Sequence, residues 1–225
     1  MWADNSYVYV YTSSGLDIYD IISEEKYAYI TYSGGFNTVW ANNDKLFLGT
    51  NASGIKYINK TCISGSVSSP IDLYTCLENF SNLTPYYVLT SNNIQYIHGN
   101  DDLLGIVTNS GLDVVKLNPQ SYRSCTLISG AKKCFMTSTG KFYYIIDDDN
   151  SSRVCCIYTS LVDWSEPDKC FIPGSGVLAS GIALNDLFIL EGTATNNYNT
   201  ICLATTSGVY LIDENSNEYN LYYIE

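Results

Sequence analysis

A four-residue turn, Thr-x-Ser-Gly, recurs along the chain, and each copy precedes a short run in which apolar residues alternate. Three copies end at Gly15, Gly111 and Gly208, before LDIYDI, LDVVKL and VYLID, and a fourth, one residue longer, runs from Thr50 to Gly54 before IKYI. Self-similarity of this kind is the sequence signature of propellers and solenoids. The chain is therefore predicted to contain several copies of one structural unit.

The spacing of these turns sets the size of the unit. Successive Gly residues are 39, 57 and 97 residues apart, and the last gap is about two periods long. We expect one degenerate copy inside it, at Thr159-Ser160-Leu161, where the Gly is lost and the flanking apolar runs are kept. Five units in 225 residues average about 45 residues each, which suits a four-stranded propeller blade of roughly 40–50 residues.

Pairs of Asn and Asp form a second landmark, ahead of other strand-like runs. The pairs are Asn43-Asp44, Asp101-Asp102 and, as looser copies, Asp4-Asn5 and Asn185-Asp186. Asn and Asp tolerate positive φ and hydrogen-bond their own backbone. The pairs therefore predict tight hairpin turns between antiparallel strands.

The runs between the turns are typical of strands that are buried on both faces. They are rich in β-branched and aromatic residues, and helical periodicity is nearly absent. In YVYVY, the three Tyr side chains from Tyr7 to Tyr11 lie on one face, and Val8 and Val10 lie on the other. A propeller blade, packed between two neighbouring blades, needs two such faces. A β-sandwich or a β-solenoid is the alternative.

The predicted fold is therefore all-β: a compact β-propeller with five blades of mostly four antiparallel strands. The approximate blades are 1–34, 35–85, 86–130, 131–174 and 175–225, with three strands apparent in the first. The run YNLYYIE at 219–225 is expected to pair with the N-terminal strands and close the ring, which removes exposed sheet edges. Because five blades use the whole length, 1–225 is expected to be a single domain.

One segment resembles a known repeat. ANNDKLFLGTNASGIKYINK at 41–60 is similar to the two-component-regulator type of propeller repeat, in which a turn and a short strand ending in Gly-Thr precede a Gly and a second strand. Residues 101–117 match this pattern in part, and 4–19 and 200–213 match it more weakly. Regulators of that family have longer propellers with attached signalling domains. The resemblance therefore implies the fold and not the signalling function.

The charge of the chain argues against several partners. Eleven Lys and Arg against 23 Asp and Glu give a net charge of −12, whereas nucleic-acid binding needs clustered basic side chains. The same acidity disfavours anionic membranes, and no run approaches the ~18 apolar residues of a membrane span. The N-terminus lacks the basic and apolar regions of a secretion signal, so cytoplasmic synthesis is expected. An already processed secreted form stays open.

The eight cysteines include no C-x-x-C pair of the kind that zinc sites use, and no metal or cofactor is expected. Most of them lie in apolar runs. They are therefore predicted to be small buried hydrophobes in a reducing compartment. Cys62 and Cys76 have an alternative, a disulfide across one irregular loop.

Catalytic motifs are missing from the sequence. The only His, His98, lies in the strand-like run IQYIHG and is interpreted as structural, because no G-x-S-x-G elbow supplies a nucleophile for a triad. Most acidic residues, such as Asp44, Asp101, Asp102 and Asp186, fall in predicted turns, where solvated carboxylates are a simpler interpretation than the paired acids of a glycosidase. The chain is predicted not to be an enzyme.

The densest acidic run, from Asp147 to Asn150, offers oxygen ligands that suit Ca²⁺, and Asp147 and Asp149 could share one ion. The run lacks the Gly and Glu of an EF-hand loop. A simple hairpin tip is therefore favoured.

Candidate partner-binding residues are aromatic side chains with polar turn residues around them. These are Tyr86, Tyr87, Trp164 and Tyr198. Most of the other Tyr residues are interpreted as filling between blades. The longest irregular stretches, residues 62–70 and 79–93, are the candidate partner-binding loops.

The leading functional hypothesis is a non-catalytic protein-interaction or structural module of a larger assembly. A phage or viral particle is the preferred setting, with the chain as a decoration, tail or neck protein. The alternative is a glycan-binding propeller lectin, although the repeated positions are turn formers rather than sugar-contacting residues. A carboxylate-based glycosidase ranks third, and three acids converging in one channel-mouth cleft would favour it.

Overall fold

The computed structural model describes residues 1–83, 88–117, 121–125, 130–148, 151–158, 169–171, 183–192, 198–206 and 208–214. These residues form strands with almost no helix, which confirms the all-β prediction. The strands group into five sheets, built mainly from antiparallel strands that are consecutive in the chain. Within these ranges, no helix has the length and apolar character that crossing a bilayer requires.

The first two sheets are interlocked by one strand. The first sheet contains β1 (Trp2–Ala3), β2 (Tyr7–Thr12), β3 (Gly15–Asp20) and β4 (Lys26–Thr31). The second begins with β5 (Thr38–Ala41), β6 (Lys45–Gly49) and β7 (Ile55–Asn59). The chain then returns to the first sheet, where β8 (Ile71–Asp72) pairs in parallel with β4, and β9 (Glu78–Asn79) completes the second sheet. Two 3₁₀-helices, Lys60–Cys62 and Tyr74–Cys76, flank β8, and the single-turn helix α1 (Phe80–Leu83) follows β9.

The other three sheets follow in chain order. The third contains β10 (Ile94–Gly99), β11 (Leu103–Thr108), β12 (Gly111–Lys116) and β13 (Ser121–Cys125). The fourth contains β14 (Ala131–Met136), β15 (Lys141–Asp148), β16 (Ser151–Tyr158) and β17 (Lys169–Phe171), and the fifth contains β18 (Leu184–Leu190), β19 (Thr200–Thr205) and β20 (Gly208–Asp213). We call the strands that open the sheets, β1, β5, β10, β14 and β18, the inner strands, because each lies beside the inner strand of the next sheet.

The first sheet differs from the sequence expectation at its start. Four consecutive antiparallel strands are present instead of three, because Trp2–Ala3 is too short to show a strand pattern in the sequence. The run at 219–225, which is expected to close the ring, lies outside the described residues.

Each sheet packs face to face against the next. Four apolar clusters fill the spaces between consecutive sheets, from the first and second to the fourth and fifth. Neighbouring side chains of one strand serve different clusters, since Tyr144 packs toward the third sheet and Tyr143 toward the fifth. In the first sheet, Tyr9 is fully buried against the second. The prediction that strands bury both faces is therefore confirmed for Tyr143 and Tyr144.

The repeated Thr-x-Ser-Gly turn joins the second and third strands of a sheet. Its Thr hydroxyl donates to the Gly carbonyl in the first, second, third and fifth sheets, at 3.4, 2.8, 3.2 and 2.9 Å. In the first copy the geometry requires Gly, because Gly15 has a φ of +148° and a Cβ there would lie 1.9 Å from the Ile30 carbonyl oxygen. We call the end of the sheets that carries these turns the Thr-Gly face.

The fourth sheet has another sequence at this turn. β15 and β16 pair as far as Asp148 opposite Ser151, so the connection between its second and third strands falls between these two residues. The degenerate copy predicted at Thr159-Ser160-Leu161 was therefore wrong, because it assumed even spacing while β15 and β16 are eight residues long. That segment lies outside the described residues.

Asx residues cap the turns that follow the inner strands of the first three sheets. Asp4, Asn42 and Asn100 each accept two backbone N–H groups with one side-chain oxygen, at 2.8–3.0 Å. We call this opposite end of the sheets the Asx face. The predicted fourth copy, Asn185-Asp186, was wrong: both residues lie inside β18, where the pairing with β19 shifts register.

The cysteines follow the prediction only in part. Cys134 is fully buried, its thiol lies 3.6 Å from the Gly105 carbonyl oxygen, and burial raises its pKa. Cys155 is equally buried but is disulfide-bonded, which contradicts the expectation of reduced cysteines. Cys62 and Cys76 are free thiols in half-buried positions.

Candidate functional site

One aromatic ring from each inner strand meets its neighbours where these strands converge. The rings are those of Trp2, Trp40, His98, Phe135 and Phe188. Ring centroids lie 5.5 Å apart for Trp2 and His98, 4.0 Å for His98 and Phe135, and 5.2 Å for Phe135 and Phe188. We call this set the axial ring cluster. Through it the first sheet contacts the third directly, as well as the second.

His98 is the polar member of this cluster, and its environment is that of a core residue. The side chain is 5% exposed, and its Nδ1 accepts the backbone N–H of Met136 at 3.0 Å. Burial lowers the pKa of His98 to about 3, so the imidazole is neutral near pH 7. These contacts agree with the structural role expected for this residue.

The inner strands of the third, fourth and fifth sheets share a bulge that the sequence analysis missed. Register shifts lie between Ile94 and Tyr96, between Ala131 and Lys133, and between Leu184 and Asp186. Bulges re-aim the side chains beside them. Here the residues after the three bulges come together, because the Lys133 ammonium lies 4.1 Å from the Tyr96 ring centroid and 3.7 Å from Asp186 Oδ1.

This cluster also reaches the first sheet. The pKa of Tyr96 is raised, first by burial and then by the charges of Cys134, Asp186 and Tyr11. Tyr11 belongs to β2 and Asp186 to β18. Charged groups on the first, fourth and fifth sheets therefore act on Tyr96 of the third sheet.

A pocket of about 410 Å³ opens on the Thr-Gly face. Its lining comes from the turn at residues 53–55, from 79–81 at the end of the second sheet, and from 88–92, which lead into the third. We call it the loop pocket. Two backbone bonds hold its walls together: Gly54 N–H donates to the Asn92 carbonyl at 2.9 Å and Ile94 N–H to the Thr50 carbonyl at 2.9 Å. The candidate partner loop 79–93 therefore builds most of this pocket.

A buried carboxylate anchors the inner wall of the loop pocket. Asp113 Oδ2 accepts the backbone N–H of Thr90 at 3.0 Å and its hydroxyl at 2.8 Å, and the Thr90 hydroxyl lies 2.9 Å from that of Thr108. Asp113 is fully buried, and among the described residues its Oδ1 has no hydrogen-bond partner. The pocket loop is thus pinned to the third sheet through one side chain.

Among the described residues, none that line the loop pocket has a charged side chain, although the chain carries a net charge of −12. Ile55, Phe80 and Leu89 supply apolar surface, while Ser, Thr and Asn supply hydroxyl and amide groups. Val88 is 78% exposed at the pocket. The pocket is therefore suited to a neutral group with both apolar and hydrogen-bonding parts.

A second cleft, of about 560 Å³, lies on the Asx face between the second and third sheets. Asp44, Asp101 and Asp102 line it together with Lys45 and neighbouring residues. Asn43 Nδ2 donates to Asp101 Oδ2 at 2.9 Å and so joins the two turns. Asp44, Asp101 and Asp102 are exposed, as expected for solvated turns, and they share this cleft. Within the described residues, no group of three metal-ligating side chains forms a site.

Similar side-chain bonds join the other sheets along the Asx face. Lys60 donates to Asp4 Oδ2 at 2.7 Å, Asn100 Nδ2 to the Thr137 carbonyl at 2.9 Å, and Ser138 N–H to Glu191 Oε1 at 2.8 Å. Burial opposes ionisation of Asp4, but bonds from Lys60 and nearby donors lower its pKa to about 2. Side-chain hydrogen bonds therefore connect neighbouring sheets along the Asx face.

Of the four candidate partner-binding residues singled out by sequence, Tyr198 is the one that lies within the described ranges. Tyr198 is 46% exposed, as an interface residue should be. Tyr86, Tyr87 and Trp164 lie outside the described residues, as does Asp149 of the candidate calcium run. The run does sit at the end of a hairpin, since Asp148 pairs with Ser151.

The axial ring cluster did leave a sequence signal. An aromatic residue, a small residue and an Asx residue follow one another in Trp2-Ala3-Asp4, Trp40-Ala41-Asn42 and His98-Gly99-Asn100. The pattern ends the inner strand and begins the Asx turn, so it marks the first three sheets.

Comparisons with known proteins agree on the fold. No protein-family model and no curated protein matches the chain. Among solved structures, it is similar to the extracellular domain of a putative hybrid two-component system from B. thetaiotaomicron, with a TM-score of 0.63 and 14% identity over 96% of this chain and 28% of that one. It is also similar to Saccharomyces cerevisiae Sqt1, with a TM-score of 0.61 and 13% identity over 93% of this chain and 56% of that one.

A third similar structure is the WD40 domain of Toxoplasma gondii coronin, with a TM-score of 0.61 and 13% identity over 97% of this chain and 55% of that one. The chain thus spans between about a quarter and three fifths of these structures. At such identities the likeness concerns the fold alone. It confirms a propeller-like fold and the fold-level resemblance to two-component-system propellers.

Proposed function

We propose that this chain is a protein-binding propeller whose partner docks at the loop pocket on the Thr-Gly face. The observation that carries the proposal is the position of the loop pocket: residues 79–81 and 88–92 of the candidate partner loop line a 410 Å³ opening beside the exposed Val88. Conserved scaffolds place binding residues on such loops. The propeller-like neighbours are in keeping with a binding module.

The lining indicates what the partner presents. Because the lining residues within the described ranges are all uncharged, a charged group entering the pocket would lose its hydration without gaining an ion pair from them. An apolar side chain fits against Ile55 and Leu89, and neutral backbone groups on either side of it can bond the Ser, Thr and Asn side chains. The expected ligand is therefore an uncharged, partly apolar segment of a protein. Tyr86 and Tyr87, which precede Val88, remain candidate contacts.

We also propose that the five sheets close into a five-bladed ring that forms one domain. Two relationships support closure: Trp2 of the first sheet contacts His98 of the third, and Tyr11 and Asp186, from the first and fifth sheets, both act on Tyr96. A row of sheets left open would hold its two end sheets apart. An experimental structure with the first and fifth sheets separated would contradict this.

The partner can be tested by placing a photo-crosslinking amino acid at Val88. The matched control is Ile22, which is 94% exposed and lies in the turn between β3 and β4, on the Asx face. Both positions replace an exposed apolar side chain, but only position 88 adjoins the loop pocket. In the cells that produce the protein, or in particles that contain it, we expect one stoichiometric protein adduct from position 88 and none from position 22.

Equal adducts from both positions, or none from position 88, would overturn the proposed docking site. A variant with Val88→Asp should also lose the partner, because it brings charge to an uncharged pocket. The narrower hypothesis is that the chain is a phage or viral decoration, tail or neck protein. No contact between described residues supports this setting, and the identity of the crosslinked protein tests it.

A glycan is the second candidate ligand, because the six hydroxyl and amide side chains of the loop pocket suit a neutral polar molecule. A glycan array with the wild-type protein and with Asn92→Ala separates the two. Specific glycan binding that Asn92→Ala abolishes, with no protein adduct at position 88, would favour a lectin.

The three carboxylates of the Asx-face cleft are the feature that a glycosidase would use. We expect no turnover of aryl glycosides, and activity lost in Asp102→Asn would contradict a non-catalytic role.

A further inference from the structure

Residues 62–76, here called the strap, leave the second sheet, cross to the first and return. β8 in the middle of the strap pairs with β4, and Leu73 N–H donates to the Tyr29 carbonyl at 2.7 Å. Asp72 Oδ1 accepts the Thr31 N–H at 3.2 Å. The strap contains the candidate partner loop 62–70, so its attachment to the first sheet fixes the position of that loop.

Two cysteines mark the ends of the strap. Cys62 is the last residue of one 3₁₀-helix and Cys76 the last residue of the other. Both are free and half-buried. The strap starts and ends beside the same pair of strands, because Tyr57 of β7 lies opposite Glu78 of β9, and the Cys62 thiol is close enough to that of Cys76 for the two to interact. The same chain holds Cys155 in a disulfide, so its fold accommodates oxidised cysteine.

We infer that Cys62 and Cys76 are a redox-active dithiol, which a disulfide oxidant such as oxidised glutathione converts into an intramolecular disulfide that closes the strap. One cysteine thiolate attacks a glutathione sulfur, forms a mixed disulfide and releases one glutathione thiolate. The second cysteine thiolate attacks the protein sulfur of that mixed disulfide and expels the other glutathione. The two cysteines together lose two electrons and two protons, and one glutathione disulfide becomes two glutathione thiols.

The surroundings of Cys62 determine the rate of this reaction. Burial raises the pKa of the Cys62 thiol, and the hydrogen bond to Cys76 and the charge of Glu78 act in the same direction, while a bond from Thr61 opposes them. Thiolate is the reacting species, so exchange is expected to be slow at pH 7 and faster at pH 8 to 9. We therefore expect the pair to become oxidised only when oxidising conditions are sustained.

Peptide mapping of the full-length protein tests this directly. After incubation in reduced or oxidised glutathione buffer, free thiols are blocked and the protein is cut on the N-terminal side of Asp residues. Cleavage before Asp44, Asp72 and Asp101 places Cys62 in fragment 44–71 and Cys76 in fragment 72–100, each with a single cysteine. We expect the two fragments to be linked, lighter by two hydrogens, after oxidation and separate after reduction.

Matched variants define the outcome. Cys62→Ser and Cys76→Ser should each abolish the linked fragments, whereas Cys202→Ser, which removes another free and half-buried thiol, should leave them intact. The melting temperature of the wild type should rise on oxidation by on the order of 5 °C relative to Cys62→Ser in the same buffers. That comparison cancels any contribution of the Cys155 disulfide. Blocked, unlinked Cys62 and Cys76 in a sample whose Cys202 has become glutathionylated would overturn the inference.

Discussion

Lys141 on β15 and Glu214 directly after β20 form an ion pair that joins the fourth sheet to the fifth, with side chains only 8% and 12% exposed. Glu214 Oε2 also accepts the Tyr143 hydroxyl at 2.8 Å and the Asn199 amide at 3.2 Å. Both charges are thus largely removed from water.

Lys141→Met is expected to lower the free energy of unfolding by about 3 kcal/mol, because it leaves the Glu214 carboxylate enclosed without its cation. Urea unfolding followed by fluorescence measures the change. Lys26→Met is the matched control: Lys26 pairs with Asp17 at 2.9 Å, but these side chains are 40% and 29% exposed, and the expected cost is below about 1 kcal/mol. Equal costs for the two variants would contradict the assignment of a buried pair.

Two glycines of the repeated turn are expected to differ in their tolerance of a Cβ. Gly15 and Gly208 have positive φ values of +148° and +130°. A Cβ at Gly15 would meet the Ile30 carbonyl 1.9 Å away, whereas one at Gly208 would meet no described atom within 4 Å. Gly208→Ala should therefore cost only backbone strain, about 1–2 kcal/mol. Gly15→Ala should cost clearly more. Thermal unfolding of both variants measures the difference, and a Gly208→Ala cost as large as that of Gly15→Ala would refute the role of the clash.

The same turns show why much of the fold could be predicted from sequence. The Gly requirement and the Thr-to-Gly bond are local. A Thr-x-Ser-Gly turn, such as the ones that end at Gly15 and Gly111, therefore marks the connection between the second and third strands of its sheet. The fourth sheet lacks this local requirement, so its turn after Asp148 could be predicted as an acidic hairpin tip but not as a copy of the repeat. β8 was also missed, because its pairing with β4 depends on contacts between residues about 43 positions apart.

The candidate sites were harder to predict. The axial ring cluster uses Trp, His and Phe at equivalent positions, so no single residue type marks the position in all five inner strands. The cluster of Tyr96, Lys133 and Asp186 depends on three bulges, which a sequence pattern does not show. The loop 79–93 could be singled out by its irregularity, but its pocket requires the turn that contains Gly54.

His98 is expected to make the stability of the protein depend on pH. Its pKa is lowered by burial to about 3 in the folded state, against 6.5 as the ordinary value. Below pH 6.5 the unfolded chain binds a proton that the folded protein does not, so stability falls with pH through this range. The expected loss is about 1.4 kcal/mol per pH unit between about pH 6 and 4.

Denaturant unfolding of the wild type and of His98→Asn from pH 7 to pH 4 measures this contribution. Asn offers an acceptor for the Met136 N–H but does not titrate, and no other His is present. The variant should be less stable at pH 7, because it packs less well in the axial ring cluster, and its stability should change less with pH. If the stability of the wild type and that of His98→Asn change in parallel with pH, the proposed burial of a neutral His98 does not cause the pH dependence.

Thr90 is expected to control the order of the loop pocket. Its backbone N–H and hydroxyl both bond to Asp113, and this carboxylate is fully buried. Thr90→Val keeps the shape and the N–H but removes the hydroxyl donor, which should cost about 1–2 kcal/mol locally because Asp113 loses a bond that water cannot replace. Amide hydrogen exchange at residues 88–93 should accelerate about tenfold or more.

Thr206→Val is the matched control for this experiment, since the Thr206 hydroxyl accepts the Ala183 N–H at 3.3 Å where the chain enters the fifth sheet. It should leave exchange at residues 88–93 unchanged. If the partner docks at the loop pocket, Thr90→Val should also reduce the photo-crosslinking yield at position 88, because a mobile loop must be ordered again on binding. Unchanged exchange in Thr90→Val would mean that the backbone bonds of Asn92 and Ile94 hold the loop without help from Asp113.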